Sequence, residues 1–324
     1  MKASSALVIR GRIMSVEKFD NAASARRKVP STVADFVTPS QIEVAQFVPP
    51  PELAPFVTQF YHFRCDQPRV RDAQPAALGH IVFYLQGRGT LRFEDGQTYW
   101  NDPVGLFGPG MAHAEFDIEG PFEDFGLALS PLGFVALTGK AATAYADRMV
   151  HAAELFGDGI TEMAHRFREG RQKGGLSVRE MVEQTTEFLL PFLKPVPASH
   201  VELIQTVSQW ISSEFDPDVE ALFAKLTQSR STATRIIRNY FGASPKQLMR
   251  KYRALRAATL LCDPDATPEM RARVESLFYD QPHMIREIRH FTGRTPGALD
   301  SDDTRILRVW LSKDNFRQLE AYPG

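Results

Sequence analysis

The chain has 324 residues, 43% of them hydrophobic, with 38 Lys and Arg against 39 Asp and Glu and only two cysteines, enough apolar mass for two domains of ordinary size. No apolar run reaches the roughly 20 residues of a membrane span, the amino terminus lacks a signal-peptide pattern, and Cys65 and Cys262 are too far apart for a paired motif. These features exclude a membrane protein, a disulfide framework and a cysteine zinc site, point to the cytoplasm, and, with a net charge of −1, argue against indiscriminate coating of nucleic acid.

In chain order, residues 1–45 mix Ala, Ser, Val and basic residues without sustained period and read as an extension with a short helix. From 46 to 157 the texture becomes strand and turn. Runs such as His80-Ile81-Val82-Phe83-Tyr84-Leu85 and Gly89-Thr90-Leu91-Arg92-Phe93 are aromatic or β-branched and are punctuated by Gly, Pro, Asp and Asn. This spacing predicts a small antiparallel barrel or sandwich, with a helical composition returning over Leu137 to Leu155. Residues 158–198 form a helical linker, in which Met181, Val182, Thr185, Phe188, Leu189, Phe192 and Leu193 recur at helical spacing until Pro195 and Pro197 stop them. Such a stripe packs inside its own chain or forms a dimer interface. Residues 199–299 are rich in helix formers, and the tail, 300–324, carries Ile306, Val309, Trp310 and Leu311 as one more helix packed on the body. The fold class is therefore α+β with two domains.

Charge is unevenly distributed. Between Lys225 and Gly297 fourteen basic residues meet six acidic ones, a balance of +8 that leaves −9 for the rest of the chain. One end suits an anion, although charge runs also merely solvate helix faces. The same region contains a repeat at an offset of 51 residues, visible when 229–245 is set over 280–296: Arg235 matches Arg286, Ile237 matches Ile288, Arg238 matches Arg289, Gly242 matches Gly293 and Pro245 matches Pro296. Each copy reads as a polar cap (Ser229, Asp280), a short helix with arginines, and Gly-x-Ser/Thr-Pro. Helical phase turns Ala233, Ile237 and Tyr240 inward in the first copy, and Met284, Ile288 and Phe291 in the second. It turns Ser231, Thr232, Arg235 and Arg238 outward, as it does Pro282, His283, Arg286 and Arg289. Two arginines one turn apart suit a major groove, where guanidinium bonds guanine's acceptor edge or neutralises phosphate. A helical repeat that binds protein is the alternative.

The run Phe278-Tyr279-Asp280-Gln281-Pro282-His283-Met284-Ile285-Arg286-Glu287-Ile288, followed by Phe291-Thr292-Gly293-Arg294-Thr295-Pro296-Gly297, closely resembles the second helix-turn-helix of AraC/XylS regulators. Ser229 to Gln247, with Arg253 and Ala257 to Leu261, resembles the first unit and the long helix that joins the two. The resemblance implies an all-α DNA-binding domain whose two units, joined by that helix, enter adjacent major grooves of double-stranded DNA. The contacts it implies are Ser231, Thr234, Arg235 and Arg238 in the first unit and Gln281, His283, Arg286 and Arg289 in the second. More faintly, Pro49 to Val57 and Phe125 to Pro131 resemble the cupin-like sensor domain of one branch of these bacterial regulators. That implies an antiparallel β-barrel with flanking helices that senses a small-molecule effector or forms a homodimer, with RNA polymerase as a further partner.

A cupin enzyme would hold a metal through a His-x-His pair, a carboxylate and a later histidine. Pro109-Gly110-Met111-Ala112-His113 resembles the later motif, but His80 has no histidine two residues away, so neither catalysis, metal nor cofactor is expected. Several positions depart from the regulator pattern. Leu277 replaces the turn glycine of the second unit, where a positive φ would strain it; Arg273 stands at a position usually held by alanine; Gln228 and Ala233 replace larger apolar residues. They leave a second reading open, a protein-binding antagonist or adaptor that keeps the fold without tight operator binding.

Overall fold

The computed structural model describes residues 6–8, 42–96, 98–100, 103–263, 265–299, 307, 310 and 311. Among these, nine strands form one antiparallel sheet: β1 (Ala6–Val8), β2 (Ile42–Phe47), β3 (Val57–Cys65), β4 (Arg69–Gln74), β5 (His80–Arg92), β6 (Thr98–Trp100), β7 (Val104–Phe107), β8 (Ala114–Leu129) and β9 (Met149–His151). The path runs β1-β2-β3-β8-β5-β7-β9, with β4 on β8 and β6 on β5. β8 is long enough to pair with β3 along one half and β4 along the other, while β5 follows it on the opposite edge.

Period-two patterning gives the sheet its two faces. Phe125, Leu127 and Leu129 of β8 join Phe60 and Phe83 on the outer face, and Phe116, Ile118, Phe122, Asp124 and Ala128 point into an interior cavity around which the sheet is rolled. The outer face is covered by α1 (Pro131–Thr138), α2 (Ala153–Phe156), α3 (Asp158–Gln172) and α4 (Val178–Leu189). Aromatic pairs knit this core, Phe60 stacked on Phe125 with centroids 5.9 Å apart and Phe83 tilted against Phe167 with centroids 5.2 Å apart.

Three expectations are corrected here. Ile42–Phe47 belongs to the sheet rather than to the extension, because its alternation serves both faces: Ala45 and Phe47 enter the outer core, and Val44 and Gln46 line the cavity. Ala6–Val8 pairs with it, while the short helix expected in the extension lies outside the described residues. The helical composition of 137–155 includes a strand, β9, which pairs with β7. The stripe on 176–193 is split into α4 and a 3₁₀ turn, Leu190–Phe192, opened by Pro191. Its Met181, Thr185 and Leu189 are fully buried in the chain's own core.

The remaining helices are α5 (Ala198–Ser213), α6 (Val219–Lys225), α7 (Arg230–Phe241), α8 (Pro245–Cys262), α9 (Pro268–Ser276) and α10 (Gln281–Thr292). α8 begins with a capping box, Ser244 and Gln247 satisfying each other's backbone N–H, and its 18 residues span about 27 Å. α6 with α7 and α9 with α10 form two helix-turn-helix units on either side of it. Leu277 carries no strain: φ −77° and ψ −12° place it in the right-handed region, so the second turn is made without a positive φ. Val274 is buried with Met270 and Leu277 half-buried beside it, and exposed Arg273 lies over the Phe215 ring. In the tail, Leu307 and Leu311 are buried in the core of the carboxy-terminal helices and Trp310 packs on Phe63 and Phe116, whereas Ile306 and Val309 lie outside the described residues.

Candidate nucleic-acid interface

Both candidate reading helices are started and stopped by their own sequence. The Ser229 hydroxyl accepts from Thr232 N at 3.3 Å, and Gly242, at φ +80°, ends α7 with its N–H on Arg238 O. The Asp280 carboxylate accepts from His283 N at 2.6 Å, and Gly293, at φ +78°, ends α10 on Arg289 O. The hydroxyl residues after the glycines differ: Ser244 caps α8, but Thr295 makes no side-chain cap and precedes only a 3₁₀ turn, Pro296–Ala298. Asp280→Ala is expected to lose about 1 kcal/mol of stability, the usual worth of an N-cap. Urea unfolding checks this, and an unchanged midpoint would contradict it.

The inward phase holds, with Ala233, Ile237, Tyr240, Met284, Ile288 and Phe291 all buried. Ser231, Arg235, Arg238, Gln281, Arg286 and Arg289 are exposed, and Thr234 and His283 are half-buried. The His283 ring turns back onto its own domain, with Nε2 3.2 Å from Glu287 Oε1 and the ring edge-on to Phe278.

The basic segment divides into two sets. Arg230 makes a bidentate pair with Glu220, Arg256 donates to Ile211 O and Glu214 O, and Arg294 pairs with Asp72. Arg253 Nη2 meets Glu287 Oε2 at 2.7 Å and Arg250 Nε meets Oε1 at 2.6 Å. Burial works against the Glu287 charge, but the two guanidiniums outweigh it and hold its carboxyl below the usual range. This cluster fastens α10 to α8. By contrast Arg235, Arg238, Arg286 and Arg289 make no ion pair with the described residues, so each helix presents two unneutralised guanidiniums one turn apart.

The sheet domain grips both units where their glycines lie. A Cβ on Gly242 would stand 2.8 Å from Pro109 Cγ, and one on Gly293 would stand 2.5 Å from Ala73 Cβ. His113 N donates to His290 O and Ala76 N to Phe291 O. Between these contacts Lys251 of α8, 2% exposed, donates to Ala77 O at 2.9 Å and Gly110 O at 2.7 Å. Asp147, in the left-handed region at φ +54°, shapes the second loop by accepting from Met111 N and Ala112 N.

Burial pushes Lys251 down to about 7 from 10.5, against an upward pull from Asp147. The unfolded chain therefore binds more protons than the folded one between about pH 7 and pH 10.5, and this residue's contribution makes stability rise with pH across that window. Lys251→Met should flatten the rise; parallel urea-midpoint curves for the two proteins at pH 7 to 9 would contradict it.

Lys251, Tyr252 and Leu255 of α8 also form part of the wall of the sheet cavity, which has a volume of about 230 Å³. Val44, Phe63, Val82, Leu91, Phe107 and Met149 make it largely apolar. His80 lies inside, stacked on Phe107 at 4.2 Å, with Nε2 facing the Gln74 amide and Nδ1 on Leu78 O. Burial lowers it to about 4, so it is neutral. His113 points elsewhere, with Nδ1 3.0 Å from His290 O, and the two histidines do not converge. The sequence implies a ligand-sensing barrel but does not single out Lys251 or the cavity's lining. The available signal was a single charged residue within a helix face that is otherwise apolar at Leu248, Tyr252 and Leu255.

Residues 222–301 match the family described as "Helix-turn-helix domain". The carboxy-terminal domain is a helix-turn-helix domain of the AraC type. Residues 45–151, most of the sheet, match a domain family of unknown function, DUF6597. No curated protein matches the chain. Among solved structures, ToxT from Vibrio cholerae O395 is similar over 76% of this chain and 98% of its own, at 10% identity and a TM-score of 0.43. The AraC-like transcriptional activator CuxR is similar over 79% and 95%, at 12% identity and a TM-score of 0.32. A cupin superfamily protein from Desulfitobacterium hafniense DCB-2 is similar over 32% and 92%, at 20% identity and a TM-score of 0.21. The chain joins an antiparallel sheet domain to a helix-turn-helix domain, with both helix-turn-helix units in contact with the sheet.

Proposed function

We propose that the protein is a sequence-specific DNA-binding transcription regulator in which one monomer sets α7 and α10 into adjacent major grooves. The observation that carries this reading is the equivalence of Arg235 and Arg238 with Arg286 and Arg289: exposed, without an ion pair among the described residues, and 51 residues apart on two helices of the same kind. Ser231, Thr234 and Gln281 flank them and would contact base edges or phosphates, and His283 serves mainly to pack the cap of α10. Arginine's planar fork suits guanine O6 and N7, and phosphate contacts fix the register.

In this reading the sheet domain is a sensor for a small molecule. An occupant of its cavity would touch Lys251, Tyr252 and Leu255, which belong to the helix that joins the two units, and so bias how the units are held. Genome-wide immunoprecipitation followed by a shift assay on the recovered sites is the test. Discrete sites bound in preference to random duplex are expected; no discrete sites and no discrimination would overturn the reading in favour of a protein-binding adaptor.

A further inference from the structure

Asp124 is an unusual residue to find on the inner face of the sheet. It is a carboxyl in a largely apolar cavity, and its Oδ1 is buried with no hydrogen-bond partner among the described residues. A buried polar atom left unpaired costs roughly 1–3 kcal/mol, so its presence asks for a missing partner. What surrounds it is aromatic. Phe63 and Tyr84 stand directly opposite it on the two neighbouring strands, and Phe122 precedes it by two residues on the same face. Phe122 meets Phe63 and Tyr84 edge-on, each at 6.1 Å. Tyr61 lies over Gly126, where a Cβ would come within 2.4 Å of its ring, and feels the Asp124 charge.

A carboxyl beside aromatic rings in one cavity is the chemistry that recognises an organic cation, since both the charge and the ring quadrupoles attract it. Resting on the reading of the sheet domain as a sensor, we infer that the cavity binds a small amphipathic amine, its ammonium seated on Asp124 among Tyr61, Phe63, Tyr84 and Phe122 and its apolar part directed toward α8.

The electrostatics around Asp124 suit this occupant. Burial first, and the neighbouring Glu123 charge second, push the Asp124 carboxyl well above the usual range, so a charge there without a counter-ion is disfavoured. A bound ammonium would supply that counter-ion and leave a neutral pair, any proton on the carboxyl passing to solvent. Glu123 itself stays ionised on the opposite face with His62 and Arg171. The other titratable groups lining the cavity are Tyr61, Tyr84, His80, Lys251 and Tyr252. An anionic ligand is poorly served. Among the described residues lining the cavity there is no arginine, His80 is neutral, and Lys251 already donates to two carbonyls.

The experiment compares three probes of one shape on the purified full chain by calorimetry: 4-phenylbutylamine, 4-phenylbutanol and 4-phenylbutyrate. The amine is expected to bind about tenfold tighter than the alcohol or more, the size of a desolvated cation–π and charge contribution, with the carboxylate weakest. Asp124→Asn, which keeps the shape of the protonated carboxyl, should abolish the amine's advantage while leaving the alcohol nearly unchanged. An alcohol or carboxylate that binds as well as the amine, or an amine preference that survives in Asp124→Asn, overturns the inference while leaving the sensor reading intact. Failure of all three probes to bind overturns the inference and the sensor reading together. Should the variant not fold, the ranking on the unaltered chain decides.

Discussion

Arg286→Ala is expected to weaken binding to the best recovered site by about 1–3 kcal/mol, the worth of one bidentate base contact, and to relax discrimination at one base-pair position. The reasoning is local. Arg286 is exposed on the second turn of a helix whose cap and stop are both intact, and it makes no ion pair with the described residues, so its removal disturbs little within the fold. Equal loss on every sequence would make Arg286 a phosphate contact instead. Because Arg235 is the equivalent residue of α7, Arg235→Ala should give a loss of the same order at a different position of the site, and the two losses should add if the helices read separate grooves. A shift titration with single-base variants of the site measures both effects.

Glu287→Ala should cost about 3–5 kcal/mol of folding stability in the AraC-type domain, because it leaves two guanidiniums without their shared partner. Glu287 is 2% exposed and accepts from Arg253, itself nearly buried, and from Arg250. Truncating it leaves Arg253 with only the more exposed Asp216. Since the folded carboxyl sits below its ordinary range, the stability it supplies is present above the unfolded carboxylate's range and is lost as the pH falls through the folded value. Acid unfolding of Glu287→Gln should accordingly be less steep than that of the unaltered chain. A loss below about 1 kcal/mol for Glu287→Ala would mean that the pair is solvated like a surface ion pair.

The reading domain was the more legible part of the molecule, for a physical reason. Its helices are short, each is bounded by a cap and a left-handed glycine, and helical phase over three turns separates Ile288 and Phe291 from Arg286 and Arg289 with no knowledge of tertiary contacts. The equivalence of Arg235 with Arg286 needs only a self-comparison. The sheet was legible as texture but not as topology. Nothing local in Ile42–Phe47 tells that it pairs with β3, since the partner is set by long-range register.

Leu277 marks the limit of reasoning from a resemblance. A turn that others make with glycine is made here with right-handed dihedrals, so a strain inferred from one substitution is absent. The second role of Gly242 and Gly293 was equally hidden. Each ends a helix through its positive φ, which the sequence signals, and each also lets the sheet domain approach, which it does not. Asp124 and Lys251 were missed for a shared reason. Each is a charge whose meaning depends on what stands opposite: four aromatic rings for one, and two loop carbonyls from another domain for the other.

Chemical footprinting of one monomer on a recovered site tests the central claim most directly, using methylation interference at guanine N7 to report the major groove and hydroxyl radicals to report the backbone. Two patches of major-groove interference on the same face of the duplex, centred about 34 Å or one helical turn apart, are predicted, the first lost in Arg235→Ala and the second in Arg286→Ala. A single patch, or two on opposite faces, would contradict the placing of both helices in adjacent grooves.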